Sequence, residues 1–297
     1  MRVTQSMLAN NFLNNLNTSY SKLAKYQEQL SSGKKINKLS DDPLSAMKGI
    51  SYRRTVAQVK QYEDNFAEAS TWIESTNDAL DEANQVLQRI RELTVEGATD
   101  TKTPTDRQSI ADEVEQLRDQ LVNIANTKVK DKYIFNGTRT TEKPISGDIS
   151  TFDGSTSLGM NTNPVKIELS KGIYLQVNAN GANAFSDDLF KDLNHLISDL
   201  KSGTSANGFD SYLGKIDGHI DNVLSELSEA GARSNRLDLM KDRVTQQETT
   251  ATKIMAGNED VDIDKAYTDF SVASGAYIAA LKVGAQVIQP TLLDFLK

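Results

Sequence analysis

The sequence predicts a mainly α-helical protein: an elongated helical rod in which the N- and C-terminal halves of the chain pack together, with a small β-rich insert domain at the tip. Three observations point there. Apolar residues recur at alternating steps of three and four at both ends of the chain. Between these ends run stretches of roughly 50 residues without a strong breaker, each about 75–80 Å long as a helix. One interval, 138–186, is instead rich in Ser, Thr, Asn and Gly and contains Pro144 and Pro164.

The first helix carries Ala9, Phe12, Leu16, Ser19, Leu23, Tyr26 and Leu30, a heptad seam that wants another helix beside it. Ser31-Ser32-Gly33 ends it. After the basic stretch Lys34-Lys35-Ile36-Asn37-Lys38, Asp42 is placed to cap a second helix, with Pro43 at its first position, where a missing N–H costs nothing. Val59, Tyr62, Phe66, Ala69, Ile73, Thr76, Leu80, Ala83, Leu87 and Ile90 keep its stripe, and Gly97 is its first clear breaker. Thr103-Pro104-Thr105-Asp106 is another start signal. It opens a helix striped by Ile110, Val114, Leu117, Leu121 and Ile124, which the short connection sets antiparallel to the second.

Tyr133-Ile134-Phe135 reads as a short strand and Asn136-Gly137 as its turn. Val165, Ile167 and Leu169 alternate with polar residues. So do Ile173, Leu175 and Val177 beyond Ser170-Lys171-Gly172, which makes a hairpin with one apolar face. Leu189, Leu193, Leu196, Ile197 and Leu200 form a helix closed by Gly203. A long helix from Tyr212 runs to about Gly257, and a last one starts after Asn258-Glu259-Asp260. On that last helix Ile263, Ala266, Phe270, Ala273, Tyr277, Ala280, Gly284 and Val287 form one seam. Ser274, Ile278, Leu281, Ala285, Ile288, Leu292 and Phe295 form another beside it. A helix apolar on two sides cannot hide both against a single partner. The expected organisation is therefore 1–40 and 258–297 as terminal coiled-coil assembly helices, 41–137 and 187–257 as a helical rod domain, and 138–186 as the insert. The expected assembly interface is Phe12, Leu16, Leu23, Leu30, Phe270, Tyr277, Ile278, Leu281, Ile288, Leu292 and Phe295.

Composition narrows the function. Among 297 residues the net charge is −8, with no run of five or more Lys or Arg, which argues against a nucleic-acid partner. Cysteine is absent, so thiol and disulfide chemistry are excluded. No stretch of 18 apolar residues exists to span a membrane. The N-terminus lacks the apolar core of a cleavable signal peptide, so any export is expected to take another route. No constellation for catalysis, cofactor binding or metal ligation is present, and an enzyme is not expected. His195 and His219, at helical spacings, read as structural residues. Asp41 and Asp42 read as caps rather than an acid–base pair. Arg53, Arg54 and Arg236 are candidates to pair with acids. Asn136-Gly137-Thr138 fits a glycosylation pattern but reads as a turn.

Periodicity alone leaves a cytosolic coiled-coil scaffold open. The motifs are more specific. Asn14-Asn15-Leu16-Asn17-Thr18-Ser19, Leu30-Ser31-Ser32-Gly33-Lys34-Lys35-Ile36-Asn37 and Asp41-Asp42 resemble the N-terminal signature of bacterial flagellins. Gly231-Ala232-Arg233-Ser234-Asn235-Arg236-Leu237 resembles the second-half motif of that family, and Leu292-Leu293-Asp294-Phe295-Leu296 its C-terminus. The resemblance covers roughly 1–137 and 187–297 and not the insert. Met1-Arg2-Val3-Thr4, Pro43 and the closing Thr291–Lys297 are more similar to the junction-forming, hook-associated members than to filament-forming flagellin. The metallopeptidase insert of some flagellin relatives is excluded, because no His-Glu-x-x-His occurs.

The resemblance implies a secreted, structural part of the extracellular flagellum, exported through the flagellar type III apparatus. It implies as partners flagellin, a hook-side hook-associated protein, further copies of the chain in a ring, and a cytosolic export chaperone at the C-terminal helix. A short flagellin that builds the filament itself is the alternative.

Overall fold

A computed structural model describes residues 5–99, 102–203 and 208–287. Seven helices account for most of them: α1 (Gln5–Ser32), α2 (Pro43–Gly97), α3 (Pro104–Ala125), α4 (Gly181–Ala184), α5 (Asp187–Ser202), α6 (Asp210–Glu259) and α7 (Ile263–Val287). Two antiparallel hairpins pair β1 (Lys128–Val129) with β2 (Lys132–Tyr133) and β3 (Lys166–Ser170) with β4 (Ile173–Gln176). The residues form two compact units, one of 1–58 with 247–297 and one of 59–246.

Local chemistry sets the helix ends. Asp42 caps α2: its carboxylate accepts the N–H groups of Leu44 and Ser45, both at 3.1 Å, and the Ser45 hydroxyl at 2.6 Å. Those Ser45 bonds hold the Asp42 carboxyl below its ordinary range. At α3 the Thr103 hydroxyl accepts the Asp106 N–H and the Asp106 carboxylate accepts the Thr103 N–H, a reciprocal capping box ahead of Pro104. Gly203, at φ +73°, closes α5 in the left-handed conformation that glycine adopts without strain.

Two boundaries differ from the sequence expectation. The β2 strand stops at Tyr133, and its hairpin turns at Lys130 and Asp131, both at positive φ. Ile134 and Phe135 leave the strand to fill the core, where both are fully buried, so burial takes precedence over strand propensity. Asn136-Gly137 does turn, with Arg139 N–H donating to the Asn136 carbonyl at 2.9 Å. Asn136 itself is buried, accepting the Asn161 N–H and donating to the Glu142 carbonyl. The second difference is that α6 continues through Gly231 and Gly257 and takes in Asn258 and Glu259. The cap of α7 is Asp262, whose carboxylate accepts the Lys265 N–H at 3.1 Å.

In the 59–246 unit, Arg89 pairs with Glu113 and Gln120 with Glu82, which sets α2 and α3 antiparallel. Arg91 joins α2 to Asp217 of α6, and Arg118 joins α3 to Asn194 of α5. The core contains Leu80, Leu87, Ile90 and Leu121 from the helices. Leu169, Leu175 and Val177 of the β3–β4 hairpin and the edge-on pair Phe135–Phe185 belong to the same cluster. Two α6 residues pin the 178–183 segment. Glu226 accepts the Asn180 N–H and the Asn183 amide at 2.9 and 2.8 Å, and Arg233 donates to the Asn178 carbonyl at 2.6 Å. His219 is buried and contacts Asp192 at 3.2 Å, while His195 lies exposed.

Candidate assembly surface

The 1–58 and 247–297 unit is built around α1 lying along α7. Phe12, Leu16, Leu23 and Leu30 of α1 and Phe270 and Tyr277 of α7 are half-buried, and Tyr20 meets Tyr277 with ring centroids 5.8 Å apart. Gly284 gives the closest fit: a Cβ there would fall on the Phe12 ring. Even so, this seam is only partly shielded, and of its larger side chains none is fully buried. Two helices alone leave each other's flanks wet.

The second α7 stripe faces solvent. Ile278 and Leu281 are 50% and 44% exposed, and Ile263 and Tyr267, on the same side by helical angle, are more open still. Val272 and Val283 extend exposed apolar surface to a third side. Ile288, Leu292 and Phe295, expected on the same surface, lie outside the described residues.

At the end of the α1–α7 pair, the 33–38 loop is stitched to the α6–α7 junction. Gly33, at φ +68°, turns the chain. Lys35 N–H donates to the Glu259 carbonyl at 2.6 Å, and Val261 N–H to the Gly33 carbonyl at 3.0 Å. Gln29 donates to the Lys35 carbonyl and Asn258 to the Ser45 carbonyl. Inside this frame the Glu259 side chain is buried. Arg53 Nε lies 2.6 Å from its Oε1 and Lys34 Nζ 3.6 Å from its Oε2. Lys34 also donates to Asp260 at 2.6 Å, and this hydrogen bond holds its ammonium pKa above the ordinary value. Of the three arginines expected to pair, Arg53 does so here. The basic residues of the loop serve the frame: Lys34 as described, and Lys38 through Glu28 at 3.1 Å.

This corner holds residues the sequence reading did not single out. Leu39, Leu44, Met47 and Ile50 are all more than half exposed. Leu39 and Ile50 help line a cleft of about 180 Å³, together with Ile36, Asn37, Ala46, Gly49, Arg53 and Glu259 among others. The signal was available as the three-residue steps 44, 47 and 50 just inside the α2 cap, but the stripe of that helix was traced only from Val59. By contrast, among the described residues the 59–246 unit exposes few large apolar side chains: Val95, Tyr174, Leu224 and Leu239. Among the described residues, exposed apolar surface is concentrated on α1, α7 and the start of α2. Among the described residues there is no cluster that could hold a metal ion, and no helix is long and apolar enough to cross a membrane.

Comparison with known proteins gives this surface a context. Residues 3–140 match the family model for the bacterial flagellin N-terminal helical region. A flagellin of Bacillus subtilis is 29% identical over 91% of this chain and 91% of its own length. The flagellar hook-associated protein 3 of Escherichia coli is 25% identical over 95% of both. A structure described as that of a flagellar hook-associated protein from Vibrio parahaemolyticus shares the fold, with a TM-score of 0.66 and 24% identity over 74% of this chain and all of that one. With motifs at both ends, a matching N-terminal helical region and relatives aligned nearly end to end, the chain carries the helical region of bacterial flagellins over 3–140 and is a homologue, along nearly its whole length, of structural proteins of the flagellum.

Proposed function

We propose that this chain is the junction adaptor that joins the hook-side hook-associated protein to the flagellin filament, and that it assembles through its terminal helices. The observation that carries this is the apolar surface left uncovered on α1, α7 and the start of α2. Two helices cannot hide it, and neighbouring subunits can. In the dilute monomer the ends 1–40 and 258–297 lack those neighbours. Ordering them costs about 1–2 kcal/mol per residue of backbone entropy. Contact at the growing end offsets this, so folding of the ends is coupled to assembly. Loose ends also suit passage of the chain through an export channel to the cell exterior, and a cytosolic chaperone on the C-terminal helix would shield the exposed stripe beforehand. Copies of the chain are expected to form a ring, with Phe12, Leu16, Leu23, Leu30, Phe270, Tyr277, Ile278, Leu281, Ile288, Leu292 and Phe295 in its contacts.

The junction position is favoured by the near full-length alignment with hook-associated protein 3 and by Pro43 and the chain ends. A second reading, a short flagellin, has its own support in the equally complete alignment with the Bacillus subtilis protein. Electron microscopy of cells lacking the chain separates the two. A junction adaptor leaves hooks without filaments and flagellin lost to the medium. A filament subunit leaves no flagellin in the medium, and its purified form grows long filaments from seeds.

A further inference from the structure

Cysteine is absent, so the six methionines carry all the sulfur of the chain. Their surroundings differ. Met160 and Met240 are half-buried against the core of the 59–246 unit, and Met255 is half-buried on α6. Met7 and Met47 are 57% and 61% exposed, and both belong to the other unit. Met47 stands between Leu44 and Ile50 at three-residue steps, which put the three on one side of α2, and all are more than half exposed. The middle of this bare apolar patch is therefore a thioether open to solvent.

A thioether is a two-electron reductant, and hydrogen peroxide oxidises it in one step. The sulfur lone pair attacks one peroxide oxygen. The S–O bond forms as the O–O bond breaks, and the departing hydroxide takes the proton of the transferred oxygen and leaves as water. The sulfur gives up two electrons and the peroxide is reduced. The product, methionine sulfoxide, is polar, and an apolar contact leaves its oxygen without a hydrogen-bond donor.

We infer that Met47 is an oxidation site that governs assembly: peroxide converts it to the sulfoxide in the free chain, and the patch then no longer packs under a neighbouring subunit. This rests on the reading that the chain assembles through surfaces that include the start of α2, and adds a chemical switch to that surface. Packing covers the sulfur, so the assembled chain resists the oxidant that disables the free one. The switch is reversible, because sulfoxide reductases restore the thioether.

The test uses the full chain. Dilute monomer is treated with hydrogen peroxide, and sulfoxide at each methionine is followed by mass spectrometry of its peptides. Met7 and Met47 are expected to react before Met160, Met240 and Met255. The treated chain is then offered to purified hooks from cells that lack it. Incorporation is expected to fall about tenfold or more and to recover after treatment with reductases for both sulfoxide epimers. Met47→Leu, a volume-conserving change, should incorporate like wild type before and after peroxide. Met47→Gln, polar and of similar length, should incorporate poorly without any oxidant.

Undiminished incorporation of a chain shown to carry the Met47 sulfoxide overturns the inference. So does a Met47→Leu chain that peroxide impairs as much as wild type, which would place the damage elsewhere. The reductase arm needs no variant, and circular dichroism before and after peroxide checks that helix content is unchanged. Failure of the untreated wild-type chain to incorporate would defeat the assembly reading itself.

Discussion

Arg53 Nε stands 2.6 Å from Oε1 of Glu259, an ion pair between residues 206 positions apart. It fastens the start of α2 to the end of α6. The Glu259 side chain is 6% exposed, while Arg53 is 62% exposed, so solvent screens one partner and not the other. Glu259→Ala removes the shared acceptor of Arg53 and Lys34. The expected loss is about 1.5–3 kcal/mol, the range for hydrogen bonds to charged groups, read by urea unfolding followed by circular dichroism.

Gly284 tests the packing of the chain ends. A side chain there must displace the Phe12 ring, so Gly284→Val should cost about 1–3 kcal/mol through overpacking. Phe12→Ala in the same chain should recover part of that loss. Additive effects in a double-mutant cycle would show that the two residues do not touch.

The two units should unfold separately. The single tryptophan, Trp72, is buried in the 59–246 unit, so its fluorescence reports that unit alone. In urea, helix content is expected to fall before the Trp72 signal moves. Limited proteolysis of dilute monomer should remove material from 1–40 and 258–297 first and leave a resistant fragment. Protected ends, or one coincident transition, would contradict coupled folding and assembly.

Acid should loosen the starts of α2 and α3. Asp42 and Asp106 both have carboxyl pKa values lowered in the fold, chiefly by hydrogen bonds from Ser45 and Thr103. A lowered folded pKa means that the stabilisation is present above the ordinary carboxylate value of about 4 and is lost as pH falls through the lower folded value. Helix content is therefore expected to hold to about pH 4 and decline below it. Asp42→Ala with Asp106→Ala should flatten that decline.

Much of the fold could be read in the chain because it depends on short-range rules. Asp42-Pro43 and Thr103-Pro104 mark helix starts that the structure keeps, Gly203 closes α5 as expected, and the β3–β4 hairpin follows its alternation. The misses arose where tertiary burial or helix continuation took precedence over local signals. Ile134 and Phe135 are claimed by the core. Asn258 and Glu259 look like caps, yet they extend α6 because Glu259 gains Arg53 and Lys34, and Asn258 gains the Ser45 carbonyl. The exposed character of Leu44, Met47 and Ile50 could not be read either, since a three-residue apolar step looks the same whether its face is covered or bare.

The pairing of α1 with α7 also has a cost in time. Ribosomes extend a chain at about 5–20 residues per second, and α7 begins about 230 residues after α1 ends. The stripe on α1 therefore waits about 10–50 s after emergence before its mate is made. A nascent chain of this kind exposes the apolar stripe of its first helix early and covers it last. The mostly polar outer residues of α1, among them Asn10, Asn11, Asn14, Asn15 and Asn17, keep that waiting segment soluble until synthesis ends.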